Sequence, residues 1–549
     1  MPYRYDSSAY RDAFDNNFSY LAGFWRNVRR YGDRPALIDP GLTGPARTWT
    51  YAELAAVVAE LAQGLADRGV RAGDVVTFQL YNCPEFAQLY LAAEQLGAIA
   101  SPINFRFSPG ETAHVLDDSV PKVLVYDGSL GESVRAALEL AEHRPDVLVA
   151  VDGDPGLDGA EAFDQLPAGP GIRSPQGDLT AWDETLRLYT SGTTGMPKGV
   201  SLNNAAEVLT AHDVIMHFPL TPQDRTLNMT PWFHRGGISA GGPQPVLYAG
   251  AASVVMRQFD ADAVLDLVQA ERLTFLIGAP TNLGLLTAAQ ETNPRDLSSL
   301  RGIVTMGAPL ERAACLRFQS VLTPRIFNGY GTTEAFWNTF LRPADLPDHA
   351  GSAGQACTDD DVRVVNAYED HPADPDDLAP RDGVTTGEVI MRSLKSGYAY
   401  VNKPDEQQAK FRDGWLYSGD LGTWDADEFV TVVGRKDDMI ISGGENVHPV
   451  QVEEVLNSHP SVADAIVVGL PDERWGELVV ACVQTDDSEL TAAELDKYCL
   501  ASPMLADFKR PRRYRFVAEL PRTATGKKMH YVIREEIRRP GAAAELQSP

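Results

Sequence analysis

Residues 190–199 read TSGTTGMPKG, a run of hydroxyl side chains, glycines and one lysine. Glycine lets a backbone come close to an anion and turn its N–H groups inward, while Ser191, Thr193 and Thr194 add donors and Lys198 adds a mobile positive charge. Such a loop suits a polyphosphate such as that of ATP, with Thr190, Gly192 and Gly195 shaping its path. It is not the common nucleotide-binding loop, in which Gly-Lys is followed by Ser or Thr and a helix, because Gly199 and Val200 follow Lys198. The preceding LRLY (186–189) alternates as a strand does, so the loop sits at a strand end. Taken alone, the same residues also describe an ordinary Gly/Ser turn.

Four further segments follow in order: NGYGTTEA (328–335), YSGDLG (417–422), GRKDDMIISGGENVHP (434–449) and PRTATGKKMH (521–530). Together with residues 190–199 they resemble the motif series of the AMP-forming adenylating enzymes: acyl-CoA synthetases, luciferases and the adenylation domains of peptide synthetases. They are nearest to aryl- or acyl-CoA ligases. The resemblance runs from Trp25 to Arg538.

The reaction it implies is activation of a carboxylic acid by ATP to an acyl adenylate and pyrophosphate, then transfer to the thiol of CoA with release of AMP. A carboxylate must approach a phosphate of like charge, which calls for magnesium and a lysine where negative charge builds up. The resemblance assigns catalysis to Lys527, Glu334, Thr193 and His234. Glu334 and Thr193 are the metal positions, with Thr194 and Thr333 also at phosphate or metal. Tyr330 lies against adenine with Gly331 and Thr332 beside it, and MGAPL (306–310), hence Gly307, Ala308 and Pro309, forms the opposite wall. Asp420 takes the ribose, with Arg435 nearby. Lys527 bridges the carboxylate and the α-phosphate from a mobile loop. Lys528 stands where the pattern has an apolar residue, and alanine there is expected to be mild.

For the second step the resemblance makes Asp437 the hinge of a rotating lid, and Gly443 and Gly444 the gap through which a pantetheine arm passes. Trp475, Phe508 and Arg510 clamp the CoA nucleotide, the last two within the basic stretch FKRPRRYR (508–515) of an otherwise acidic chain. PWFHRGG (231–237) closes the acyl pocket, with His234 as a gate and Arg235 facing a polar substituent of the acid. Trp337 caps the depth of the pocket, which favours a short or aromatic acid.

With 549 residues, 44% of them apolar, the chain has material for several cores. A formal net charge of −28 repels nucleic acid and anionic membrane, so bound anions must be held by local positive groups. The N-terminal MPYRYDSSAYRDAFDNNF lacks the basic start and apolar core of a signal peptide, and no apolar run is long enough to span a membrane. These features predict a soluble cytoplasmic protein. The five cysteines have no metal-like spacing, and neither disulfide nor zinc is expected.

Between residue 50 and about residue 330, helical stretches (52–68, 260–270) alternate with the β-rich runs VVTFQL, KVLVY, VLVAV, TFLIG and GIVTM. This alternation predicts parallel sheets covered by helices. Residues 355–432 read as a smaller β-rich subdomain with a solvated stretch at 369–383. The expected fold is therefore α/β. A large N-terminal domain (1–434) has two helix-covered sheets and the β-rich subdomain, followed by a small mobile α+β lid (435–549) on a hinge at 435–438. The cofactors implied are ATP, magnesium and CoA, and the partner is a small carboxylic acid, with no nucleic acid; a homodimer stays open. Two rival readings remain: an adenylating ligase that passes the acyl group to an amine, a carrier protein or another nucleophile, including activation of unusual small oxyacids, and a non-catalytic nucleotide-binding regulator.

Overall fold

The computed structural model describes all residues except 1–6, 154–155, 176–178, 192–195, 369–370, 443–444, 473–474, 503–504, 506, 524–525 and 540, and except the side chains of residues 191, 437, 441, 445, 446, 508 and 543.

Two large sheets form the body of the chain. The nine-stranded sheet contains the parallel neighbours Arg225–Asn228, Phe275–Gly278, Gly302–Met306 and Ile326–Thr332, and the eight-stranded sheet is built around Val75–Gln79, Ile99–Pro102, Val123–Asp127 and Val147–Val151. Strands such as Val75–Gln79 and Gly302–Met306 are buried along their whole length, as expected of parallel strands covered on both faces. Helix Tyr51–Asp67 begins on a reciprocal cap, in which Thr50 accepts from the Glu53 backbone and Glu53 from that of Thr50, satisfying N–H groups that the first turn leaves open. Its apolar face and almost all of helix Pro84–Gln95 join one core with residues of both sheets, including Leu37 and Trp49 of one and Val76 and Phe78 of the other.

A five-stranded antiparallel sheet (Asp360–Asn366, Gly387–Ser393, Phe411–Arg412, Trp415–Trp424, Val430–Arg435) forms the β-rich part. Its reading as one segment, 355–432, needs two corrections. Gln355–Ala356 pairs with Phe336–Leu341 in the nine-stranded sheet, and Ala399–Tyr400 pairs with Pro197–Asn203 in the eight-stranded one. Nor is the stretch at 369–383 merely solvated. Ala373 and Ala379 are buried, and their carbonyls accept from Tyr417 (2.6 Å) and Trp424 (3.0 Å), because a buried phenol O–H and a buried indole N–H each need an acceptor.

The C-terminal part has its own five-stranded sheet, with Asp464–Asp472 beside Gly476–Gln484 and the parallel strand Arg513–Val517. It also has its own core, and helices Pro449–Asn457, Ala492–Ala501 and His530–Arg538. It rests against the N-terminal part: Asn457 donates to Glu311 (3.3 Å), and a cleft of about 490 Å³ lined by His349, Phe429 and Asn457 marks the seam. No helix among the described residues is long and apolar enough to cross a membrane.

Candidate active site

Strands Glu184–Ser191 and Pro197–Asn203 pair antiparallel with Thr190 opposite Lys198, so the two ends of the hydroxyl- and glycine-rich run lie side by side. Gly192, Thr193, Thr194 and Gly195, and the Ser191 side chain, lie outside the described residues. Lys198 pairs with Glu406 on the short helix Pro404–Lys410.

The strand Ile326–Thr332 brings Tyr330 to the β-rich part, where its phenol donates to Asp420 (2.7 Å). Arg435 donates to the other oxygen of the same carboxylate (2.8 Å), since Asp420 and Arg435 face each other across the ladder of Trp415–Trp424 with Val430–Arg435. Three residues named separately from sequence thus meet. Gly307 ends strand Gly302–Met306 at φ +84° with nothing within 4 Å of where a Cβ would stand. Gly307 and Pro309 are exposed, and Ala308 partly so, leaving an open strand end of the kind α/β sheets offer to ligands. Gly331, beside the Tyr330/Gly331 register shift, has no room for a side chain: a Cβ there would collide with the Phe336 carbonyl.

Glu334 follows on a half-buried loop with Thr333, and its carboxylate accepts from Tyr400 (2.5 Å). One oriented carboxylate with hydroxyl neighbours is a hard donor set of the kind magnesium takes when phosphate oxygens and water complete its shell, so these residues fit that ion.

His234 precedes the short helix Arg235–Ser239 and stacks near Phe233, with ring centres 4.4 Å apart. Burial, with the charge of Lys527 adding to it, pushes His234 down to about 4, so the ring is neutral at ordinary pH and close to the C-terminal lysine. The turn carrying Lys527 is docked as well: a Cβ on Gly526 would stand 3.0 Å from Thr281 Oγ1, and φ +81° there favours glycine. Lys527 is exposed, whereas Lys528 is fastened to Glu453 (3.0 Å) and Asp464 (2.8 Å). The expectation that alanine at 528 is mild needs correction for the fold: it would remove one cation from each of two acidic groups, leaving Glu453 with His530 and Asp464 with Arg522.

The reading of Arg235 is also corrected. It is 3% exposed, and its amino groups donate to the carbonyls of Thr333 (2.6 Å) and Lys395 (2.6 Å) and to Thr210 Oγ1 (3.2 Å). It lies against the protein's own backbone. Trp337 lies in strand Phe336–Leu341 and is 3% exposed; its indole covers Gly329, where a Cβ would stand 2.7 Å from Nε1, and packs against Phe340 and Phe218.

Of the groups expected at CoA, Arg510 pairs with Asp496 (2.7 Å) and Trp475 has Arg512 over its ring at 6.0 Å; the Phe508 side chain lies outside the described residues. So do Gly443, Gly444 and the Asp437 side chain, although the backbone of Asp437 lies in the 3-10 turn Lys436–Asp438. Sequence reasoning missed Tyr400, Glu406 and Lys410. The Lys410 ammonium donates to the carbonyls of Tyr417 (3.1 Å) and Ser418 (2.9 Å) beside Asp420 and Arg435, and burial pulls its pKa below the usual lysine range. Their segment, YVNKPDEQQAK, has no spacing that announces a site.

Comparison with known proteins bears directly on this arrangement. The family model described as AMP-binding enzyme matches residues 24–398, and that described as AMP-binding enzyme C-terminal domain matches residues 451–527. The chain belongs to the AMP-binding enzyme family. It is 36% identical over 519 residues to the indoleacetate–CoA ligase of Aromatoleum aromaticum, covering 92% of this chain and 97% of that one. It is 33% identical to a feruloyl-CoA synthase of Amycolatopsis, covering 89% and 93%. Among solved structures, the anthranilate CoA ligase AuaEII in complex with anthranoyl-AMP superposes with a TM-score of 0.83 at 26% identity, covering 95% of this chain and 97% of that one. The α/β architecture with a smaller C-terminal domain is that of adenylating enzymes of the AMP-binding family, and the chain is an AMP-forming acyl-CoA ligase that uses ATP and CoA.

Proposed function

We propose that this member of the AMP-binding family joins an aromatic or short carboxylic acid to CoA. The observation that carries the proposal is the Tyr330–Asp420–Arg435 group, with Glu334 four residues beyond Tyr330 and the turn that carries Lys527 docked at Thr281 of the N-terminal part. In this reading Tyr330 and the Gly307–Pro309 loop hold adenine, and Asp420 with Arg435 holds the ribose. Residues 190–199, Lys198 among them, hold the phosphates. The acid's carboxylate oxygen attacks the α-phosphorus and pyrophosphate leaves. Lys527 sets a positive charge beside both reacting anions, and neutral His234 orients the acid without adding charge. Magnesium, held by Glu334 and Thr193, would neutralise phosphate charge. In the second step the CoA sulfur attacks the acyl carbon and AMP leaves, after the lid turns at 435–438 to bring Gly443 and Gly444 to the site.

The substrate class is supported by Trp337 over Gly329, backed by Phe218 and Phe340, which leaves little depth for a long chain. Relatives named for indoleacetate and ferulate agree with an aromatic acid. A cytoplasmic location, where ATP and CoA are supplied, goes with this reading. The test is AMP formation over a panel of arylacetic, hydroxycinnamic, aminobenzoic and aliphatic acids, with and without CoA. Turnover is expected to need CoA and to peak with an aromatic or short acid. AMP release driven by an amine and indifferent to CoA would transfer the assignment to the amide-forming rival.

A further inference from the structure

The buried polar groups beneath the site do more than fill space. Helix Asn204–His217 contributes Thr210, Asp213 and His217; strand Asp360–Asn366 contributes Asp360; Arg235 enters from the first turn of helix Arg235–Ser239 and Lys395 from a loop. The Lys395 ammonium is held by Asp213 (3.1 Å) and Asp360 (2.7 Å) with almost none of its surface in water. Asp213, His217 and Cys357 have the donor types of a metal site, but the cation there is Lys395. Moreover, both ring nitrogens of His217 are engaged: Nδ1 accepts from Arg342 (2.9 Å), and Nε2 lies 3.2 Å from Asp213 and 3.4 Å from the Thr358 N–H. The group is an internal anchor for the 395–400 segment.

Two lines run from that anchor to the same dipeptide. The Lys395 carbonyl and the Thr333 carbonyl are bridged by one guanidinium, that of Arg235, each at 2.6 Å. The Glu334 side chain is held by Tyr400, five residues beyond Lys395, at 2.5 Å. Tyr400 is itself fixed by strand pairing to Val200, in strand Pro197–Asn203. Arg235 is stacked over Phe336 at 5.5 Å, and only its Nε lacks a hydrogen-bond partner among the described residues.

We infer that Arg235 is a positioning residue that aims Glu334 at the magnesium–ATP complex, through Thr333 and the Lys395–Tyr400 segment, and does not select the acid. The inference rests on the proposed role of Glu334. A planar guanidinium can bridge two carbonyls in a fixed geometry, whereas an ammonium is a point charge that reaches one well. Loss of the bridge frees the Thr333–Glu334 peptide while the hydrophobic floor around Trp337 stays.

The experiment measures acid-dependent ATP–pyrophosphate exchange by the full-length enzyme, titrating Mg·ATP, free magnesium and the acid in turn, for Arg235→Met, Arg235→Lys and Tyr400→Phe. Arg235→Met is expected to raise the half-saturating Mg·ATP and magnesium concentrations by about ten-fold and to lower kcat, while the KM for the acid and the rank order of acids move less than about two-fold. Arg235→Lys should recover part of the loss. Combining Arg235→Met with Tyr400→Phe should cost less than the product of the single effects, because both hold one dipeptide. A changed rank order of acids, with Mg·ATP unaffected, would make Arg235 a substrate contact and overturn the inference. A uniform loss that follows the melting temperature, with no magnesium shift, would overturn it in favour of packing alone. If Arg235→Met does not fold, Arg235→Lys and Tyr400→Phe carry the same test. Glu334→Gln separates the two levels: an unchanged magnesium requirement there would defeat the Glu334 reading itself, whatever Arg235 does.

Discussion

The Lys528 ammonium lies between Glu453 and Asp464, while the neighbouring Lys527 is exposed on a docked turn beside His234. Burial alone would raise the Glu453 carboxyl, but the charges of Lys528 and His530 outweigh it and hold the group at about 2. Replacing Lys528 by Met takes one of two cations from each of two acids, leaving Glu453 to His530 and Asp464 to Arg522, and is expected to cost about 1–3 kcal/mol, read as a lowered melting temperature. Lys527→Ala should leave melting unchanged and slow adenylation by about a hundred-fold or more, while thioester formation from a supplied acyl adenylate persists. Equal loss in both half-reactions would show that the lid does not divide the labour. The motif position singles out Lys527, but what holds Lys528 is not legible in TGKK: its partners come from strand Asp464–Asp472 and helix Pro449–Asn457, distant in sequence.

At the scale of elements, the chain passes from the β-rich sheet to the C-terminal sheet through the turn Lys436–Asp438. Asp437→Pro fixes φ at this point, so adenylation should survive and thioesterification should slow, measured as separate half-reactions. Normal overall turnover would remove the hinge from 437. Strand Phe336–Leu341 sets the floor under Gly329, and Trp337→Ala should open room there. In a graded series of acids, kcat/KM should then shift towards bulkier or longer members, each added methylene gaining up to about 0.8 kcal/mol. An unchanged profile would mean that the indole is remote from the acid. The parallel strands were legible because their apolar runs are short and bounded, and the meeting of Tyr330, Asp420 and Arg435 because each lies in a contiguous motif. The roles of Tyr400, Glu406 and Arg235 were not. They depend on Ala399–Tyr400 crossing to strand Pro197–Asn203, a long-range pairing that leaves no period in the sequence.

Across the whole molecule, the seam between the two parts brings acid against acid. Burial first, and then Glu311 and Glu453, push Glu454 up to about 7, with Lys528 opposing; Arg312, Asp348, His349 and Asp425 line the same cleft. A free lid would titrate Glu454 near the ordinary carboxylate value, so the docked form binds the extra proton. Docking is then favoured below that ordinary value and loses this contribution as pH rises through about 7. Although the seam crowds Glu454 with protein atoms, much of the residue still meets water, and screening keeps the effect small. The ratio of adenylation to thioesterification rates should fall as pH rises from 6 to 8, and Glu454→Gln should flatten that trend; a trend unchanged in the variant would assign it elsewhere. The ion pair of Lys198 with Glu406 has a bearing on turnover. If Lys198 meets the phosphates as proposed, incoming triphosphate has to displace a tethered counter-anion, and departing pyrophosphate leaves behind a lysine with a replacement ligand at hand. Affinity is given up on entry and recovered as speed on exit, so Glu406→Gln should tighten ATP binding, strengthen inhibition by pyrophosphate and lengthen the dwell of the spent product.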